Sequence, residues 1–234
     1  MRVALITPDP GHPLLAATTA LLVPEHEVEA IDPEAIDPEA IAPGAGAGGS
    51  ARLPLADVYL LKSRTPQALS LAHELEGRGA RVVNGAASTA LLQDRTAMAE
   101  RAVAAGLPFA PTRTYTSLTE LADGPPLRGP VVVKSRRSSK GDLVARVDSD
   151  VRLRELAATR RDAHEPVIVQ GFAPNDGWDH KTWAIEDRLF AALRRSELAE
   201  GGGQGPTVPL GGDQLPPGWA ELVRQVGKVF ALDV

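Results

Sequence analysis

The sequence predicts an α/β fold: a parallel α/β unit at the N-terminus, followed by an α+β part. Three observations carry this expectation. Over residues 1–90, short apolar runs alternate with Ala/Leu-rich helical stretches, the order that builds a parallel sheet. Over 131–169, an apolar run ends in Lys134, a polar loop leads to a second run, and a helical stretch leads to a third. Beyond that, two alternating apolar runs, around 182–185 and 189–193, meet at Glu186 and Asp187 as a hairpin.

Composition narrows the class. At 234 residues the chain can bury a full core and hold two or three subdomains. A hydrophobic content of 43% with 24% charged residues is that of a soluble globular protein. The net charge of -5 argues against a general nucleic-acid binder, and no apolar run is long enough to span a membrane. The N-terminal apolar segment is too short for a signal peptide, so a cytoplasmic location is the default. With no cysteine, disulfides, thiolate catalysis and cysteine-ligated metals are excluded. Of 25 basic residues only five are Lys, and Lys134, Lys140 and Lys181 fall in one region. A compact ammonium differs from a guanidinium where it meets phosphate, so this clustering points to the same stretch.

Taken in order, residues 2–7 read as a strand, and Pro8-Asp9-Pro10-Gly11 as a turn. Residues 12–22 read as a helix and 27–31 as a short strand. The run Ile-Asp-Pro-Glu-Ala occurs twice in succession from Ile31, and a Gly/Ala tract follows; 32–52 is expected to be a mobile loop insertion. Strands at 57–61 and 81–84 flank a helix at 66–78 that starts on Pro66. Asp94 to Gly106 is a helix with an acidic start and a glycine stop, and 107–112 is an extended link. Strands follow at 131–134, 143–147 and 167–169, with a helix at about 149–161. A last helix, about 217–230, places Trp219, Leu222, Val223, Val226, Val229 and Phe230 on one apolar face, expected to be buried.

Lys134 ends a buried strand, so its amine can reach a cleft where phosphate is a natural partner. The alternative is a strand-end lysine reaching to solvent. The Ser/Arg-rich loop after it, 135–142, favours phosphate, although it lacks the spacing of a Walker loop. Asp179, His180 and Lys181 enter the hairpin and Arg194 and Arg195 leave it, so one face can hold charges of both signs over a ligand. The five histidines have no metal-ligand spacing, and no nucleophile elbow is present.

Together these segments resemble the ATP-grasp superfamily, in particular its RimK-like branch, which includes ribosomal-protein glutamate ligases. Asn84 with Asp94 and Arg95 is similar to the family's asparagine and its Asp-Lys helix start. The run LPFAPT at 107–112 resembles its proline-containing link. Val131, Val132, Val133 and Lys134 resemble the nucleotide-binding strand, and Ser138, Ser139, Lys140 and Gly141 its flexible phosphate-covering loop. Residues 167–172, VIVQGF, resemble the hinge whose backbone reads the adenine edge. Gly177-Trp178-Asp179-His180-Lys181 resembles the family's Gly-x-Asp-x-Arg/Lys, and Arg194-Arg195 the basic end of the next strand.

The resemblance implies an N-terminal α/β domain over 1–93, a lid subdomain over 94–172, and a C-terminal ATP-grasp subdomain over 173–234. It implies an ATP-dependent carboxylate–amine ligase working through an acyl-phosphate, with an amino-acid or peptide substrate. Lys181 and Arg194 would be catalytic. Arg95, Lys134, Ser138, Ser139, Lys140, Gly141, Gln170, Gly171, Phe172 and Asp179 would bind the nucleotide. ATP and magnesium are the expected cofactors, a small molecule or peptide the expected partner, and a homo-oligomer is compatible with the reading; nucleic acid and membrane are not expected. Position 95 departs from the family's Lys, and Gly171 stands where the hinge usually carries Glu. Ala231-Leu232-Asp233-Val234 resembles the lead-in to the metal-binding strand, so no metal ligand is assigned within the chain, the magnesium ligands are expected beyond Val234, and turnover is expected only with them. Two other readings are an ATP-grasp kinase of a small polyol phosphate and a non-catalytic nucleotide-binding module.

Overall fold

The computed structural model describes residues 1–36, 55–139, 141–186, 188–199, 207–211 and 214–233. Most of the expected insertion at 32–52 lies outside them, as do Lys140 and Asp187. The chain divides into two compact units, one of Met1–Ala90 with Ala231–Val234, the other of Leu91–Phe230. No helix among the described residues is long and apolar enough to cross a membrane.

In the first unit, β1 (Arg2–Ile6), β2 (Glu27–Ile31), β3 (Val58–Leu61) and β4 (Val82–Val83) form a parallel sheet in the order β2-β1-β3-β4. β1 is internal and covered on both sides. Val3 and Leu5 pack with Leu15 of α1 (Pro13–Leu22), whereas Ala4 and Ile6 pack with Leu71 and Leu75 of α2 (Pro66–Gly77). Burial on both faces is why β1 reads as one apolar run rather than an alternation. Each helix starts on a proline behind a capping side chain: His12 Nδ1 accepts from the Leu14 N–H at 3.2 Å, and Thr65 Oγ1 from the Ala68 N–H at 3.2 Å. Asn84, at φ +51, turns the chain out of β4 towards α3 (Ala86–Gln93), a helix the sequence did not suggest.

In the second unit, α4 (Arg95–Ala104) begins behind Asp94, whose carboxylate accepts from the N–H groups of Thr96 and Ala97. An antiparallel sheet follows in the order β5-β8-β6-β7, made of β5 (Thr112–Tyr115), β6 (Val131–Ser135), β7 (Val144–Val147) and β8 (Val167–Gly171). Val133, Val147, Val167 and Val169 face α5 (Leu118–Ala122) and α6 (Asp150–Thr159), burying Leu118, Leu121 and Leu153. Residues opposite one another across strands share a face, so Val132, Lys134, Ile168 and Gln170 lie on the other side.

A second antiparallel sheet, β11-β10-β9, is built from β9 (Trp178–Ile185), β10 (Arg188–Arg195) and β11 (Val208–Leu210). Glu186, at φ +54, makes the expected turn between β9 and β10. The last helix, α7 (Trp219–Phe230), corrects one expectation. Only Phe230 of its apolar face is buried; Trp219, Leu222, Val223, Val226 and Val229 are half-buried. The helix packs against α4 and β9. Trp219 packs edge-on against His180 of β9, ring centroids 4.8 Å apart, and Arg101 of α4 donates to the Val229 carbonyl.

Candidate functional site

The face of the β5-β8-β6-β7 sheet turned away from α5 and α6 places Lys134 among buried apolar side chains. Val132 and Ile168 are buried, at 6% and 1% exposed, and Lys134 sits opposite Ile168 across β8. The Lys134 ammonium donates to Gln170 Oε1 at 2.9 Å, and the Gln170 amide donates onward to Thr112 Oγ1 at 2.9 Å. Burial pushes the Lys134 pKa below the ordinary lysine range, the Arg95 charge adds to this, and Asp179 opposes it. The charges of Arg95 and Asp179 thus both bear on this ammonium, with opposite effect.

The loop between β6 and β7 is stitched to the start of α4. Arg95 Nη1 donates to the Ser135 carbonyl and to Asp142 Oδ2, both at 2.7 Å, and Nη2 reaches Ser138 Oγ at 3.5 Å. Asp142 Oδ2 also accepts from the Ser139 N–H at 3.3 Å. On the other side, Arg136 grips Asp94 with Nε 3.0 Å from each carboxylate oxygen and Nη2 2.7 Å from Oδ2. This hydrogen-bonded guanidinium lowers the Asp94 pKa and raises that of Arg136. Gly141, at φ +78, takes the left-handed conformation that lets the loop turn back into β7. The sequence suggested a free covering loop; here it is strapped down by two arginine–aspartate pairs.

The hairpin brings the remaining charges. Asp179 and Arg194 are direct partners across β9 and β10, and Lys181 lies two residues along on the same face. Asp179 Oδ2 is 3.4 Å from Arg194 Nη2 and 3.6 Å from Lys181 Nζ, while Glu197 Oε1 is 3.8 Å from Arg194 Nη2. The Arg194 Nε is buried and has no hydrogen-bond partner among the described residues. A buried donor of this kind fits an incoming anionic oxygen. Gly177 precedes the hairpin at φ +85, where a Cβ would lie 3.1 Å from Arg195 Nη1.

Most residues singled out from the sequence thus fall into one linked set. The charges of Arg95 and Asp179 act on Lys134, Asp179 lies within 3.6 Å of both Lys181 and Arg194, and Ser138 and Ser139 contact Arg95 and Asp142. Gln170 takes part through its side chain, buried against Lys134 and Thr112. The hinge backbone is differently employed: Gly171 pairs with Val131, and the Phe172 N–H donates to the Pro130 carbonyl. The Phe172 ring instead carries the Arg146 guanidinium, 4.1 Å from its centroid. Arg146 is the participant that the sequence left without a role; Arg136 and Asp142 belong to the loop read as favouring phosphate and Thr112 to the proline-containing link, but nothing local marked the partners of Asp142 and Thr112, which lie 47 and 58 residues away. Among the described residues no group of three or more His, Asp or Glu could hold a metal ion.

Solved structures described as ATP-grasp proteins share this architecture. The chain superposes on a RimK domain ATP-grasp protein from Sphaerobacter thermophilus with a TM-score of 0.69 and 22% identity, covering 98% of this chain and 82% of that one. D-alanine–D-alanine ligase from Bacillus anthracis gives 0.68 at 14% identity, covering 99% and 79%. The ATP-grasp ligase PsnB, complexed with minimal precursor, Mg and ADP, gives 0.66 at 16% identity, covering 99% and 81%. The sequence matches no family model, and a comparison with curated protein sequences returns no match.

Proposed function

We propose that this chain, whose fold is that of the ATP-grasp proteins, is an ATP-dependent carboxylate–amine ligase acting on an amino-acid or peptide substrate. The observation that carries the reading is the linked charge set Arg95–Lys134–Asp179–Lys181/Arg194, in which a buried Arg194 Nε has no partner among the described residues. That set suits a polyphosphate and a transferring phosphoryl group, whose charge spreads over several oxygens. Similar structures described as a D-alanine–D-alanine ligase and as a ligase bound to precursor and ADP support a carboxylate acceptor.

In this reading Lys134 and Arg95 bind ATP phosphates, with the Ser138 and Ser139 segment alongside. The apolar floor of Val132 and Ile168, with the Phe172 ring beside it, takes adenine. Asp179 orients Lys181 and Arg194 towards the γ-phosphoryl group. A substrate carboxylate oxygen attacks the γ-phosphorus, the bond to the ADP oxygen breaks, and an acyl-phosphate results. The amine then attacks the acyl carbon, phosphate leaves with the bonding pair, and the nitrogen loses a proton. Lys181 and Arg194 offset the negative charge that builds at each step.

The test is hydroxylamine trapping over a panel of amino acids and dipeptides, with ADP release followed in parallel. ATP-dependent hydroxamate is the expected result from a protein that also holds the magnesium ligands. ADP formed from a polyol phosphate without hydroxamate would replace the ligase by a kinase. ATP binding with no turnover would leave a nucleotide-binding module.

A further inference from the structure

The Arg95–Asp142 pair has no counterpart in the roles assigned so far. Both side chains are nearly enclosed, at 14% and 13% exposed, and their contact is 2.7 Å. The same Asp142 oxygen takes the Ser139 N–H. A guanidinium plus a loop amide is the donor set that a phosphate oxygen takes. We propose that Asp142 competes with nucleotide phosphate for Arg95 and the Ser139 amide, so that binding exchanges the aspartate carboxylate for a phosphate oxygen. The inference rests on the nucleotide reading above.

Electrostatics favours exchange over coexistence. Arg95 Nη1 lies 2.7 Å from the carbonyl of Ser135, the residue after Lys134 on β6, so a phosphate drawn to Lys134 arrives near Arg95 and its carboxylate partner. Two anions sharing one guanidinium in a poorly solvated place repel each other. Arg95 does not depend on Asp142 for its position, because Nη1 also donates to the Ser135 carbonyl and its backbone N–H bonds the Arg136 carbonyl at 2.9 Å. The guanidinium therefore stays in place when the carboxylate leaves. Every anion that takes Arg95 meets the same opposing contact, so Asp142 lowers the affinity of this loop for phosphate without itself choosing among phosphates.

The experiment is calorimetry at fixed salt on the full chain, Asp142→Asn, Arg95→Gln and the double variant, with ATP, AMP and inorganic tripolyphosphate as probes. Asp142→Asn is expected to bind ATP and tripolyphosphate about tenfold tighter, and AMP to gain no more than that factor. The gain should vanish in the Arg95→Gln background. Unchanged or weaker binding by Asp142→Asn, or a gain that persists without Arg95, overturns the proposal. Wild-type binding of tripolyphosphate but not ATP would count against the nucleotide reading, with Asp142 then judged on tripolyphosphate; no binding by any form overturns both. A measurement on the wild-type chain does not depend on the variants folding. At saturating tripolyphosphate, the carboxylate carbon resonance of Asp142 should shift, and an unmoved resonance overturns the exchange.

Discussion

Lys134 keeps its charge where the surroundings oppose it. Its pKa is lowered first by burial and then by Arg95, so the unfolded chain binds more protons than the folded one between the lowered value and the ordinary lysine range. Stability contributed by this residue therefore rises with pH through that window, and at neutral pH the ammonium is a burden. Lys134→Met, which keeps the stem and drops the charge, should leave the melting temperature nearly unchanged; the Gln170 carbonyl left without its donor costs about 1 kcal/mol. ATP affinity should fall about tenfold or more, read by calorimetry on both proteins. Gly171 is the opposite kind of site. It is exposed, its φ is not in the left-handed region, and a Cβ there meets nothing within 4 Å. Gly171→Ala should stabilise the chain by about 0.5–1 kcal/mol, measured by urea denaturation, because alanine loses less freedom on entering a strand. At this scale the sequence singled out Lys134, Asp179, Lys181 and Arg194 as candidates, each at the end of a strongly patterned run. It did not reveal Asp142, because its partner is chosen by how the loop closes and not by local pattern.

The strap between the β6–β7 loop and α4 shows what an element can do that its residues cannot do singly. Asp94 caps α4 and also holds Arg136, and the hydrogen bond from Arg136 is the main cause of its lowered pKa. A carboxyl whose folded pKa is depressed stabilises the protein above the ordinary aspartate range and loses that contribution as pH falls through the lowered value. Asp94→Asn keeps a competent cap and removes the ion pair. It should cost about 1 kcal/mol near neutrality, a small figure because the Arg136 side chain is 41% exposed. Urea melts over a pH series should show the two proteins converging in acid. Elements rich in β-branched residues, such as β1, β6 and β8, were legible because a buried strand leaves an unbroken apolar run. The missed elements lacked any such period. β5 reads Thr-Arg-Thr-Tyr and is fixed by pairing with β8; β11 has three residues with Pro209 at its centre; α3 carries no polar stripe; α5 is too short for a helical period.

Across the whole molecule, the chain leaves its first unit after Ala90 and returns to it at Ala231. The return is fastened by a reciprocal pair. The Asn84 N–H donates to Asp233 Oδ2 at 2.8 Å, and the Asp233 N–H donates to Asn84 Oδ1 at 3.2 Å. Ser88 Oγ adds a bond to the Ala231 carbonyl at 3.1 Å. Asn84 suits this role because its φ of +51 is one that asparagine adopts more readily than most side chains, and that conformation turns its N–H and amide to the same partner. The sequence suggested that residues 231–234 open a strand. Instead Ala231 has φ +49 and residues 231–233 lie as a short non-strand segment against the end of β4, an outcome no periodicity over four residues could indicate. Asp233→Ala removes the acceptor of the shorter bond and leaves the second bond intact. Both groups are exposed, so the expected loss is about 0.5–1.5 kcal/mol. Hydrogen exchange locates it: the Asn84 amide should exchange faster in Asp233→Ala, while the amides of β1, held in the interior of the same sheet, keep their protection. Equal acceleration at β1 would mean that the whole first unit, and not its fastening, had been weakened.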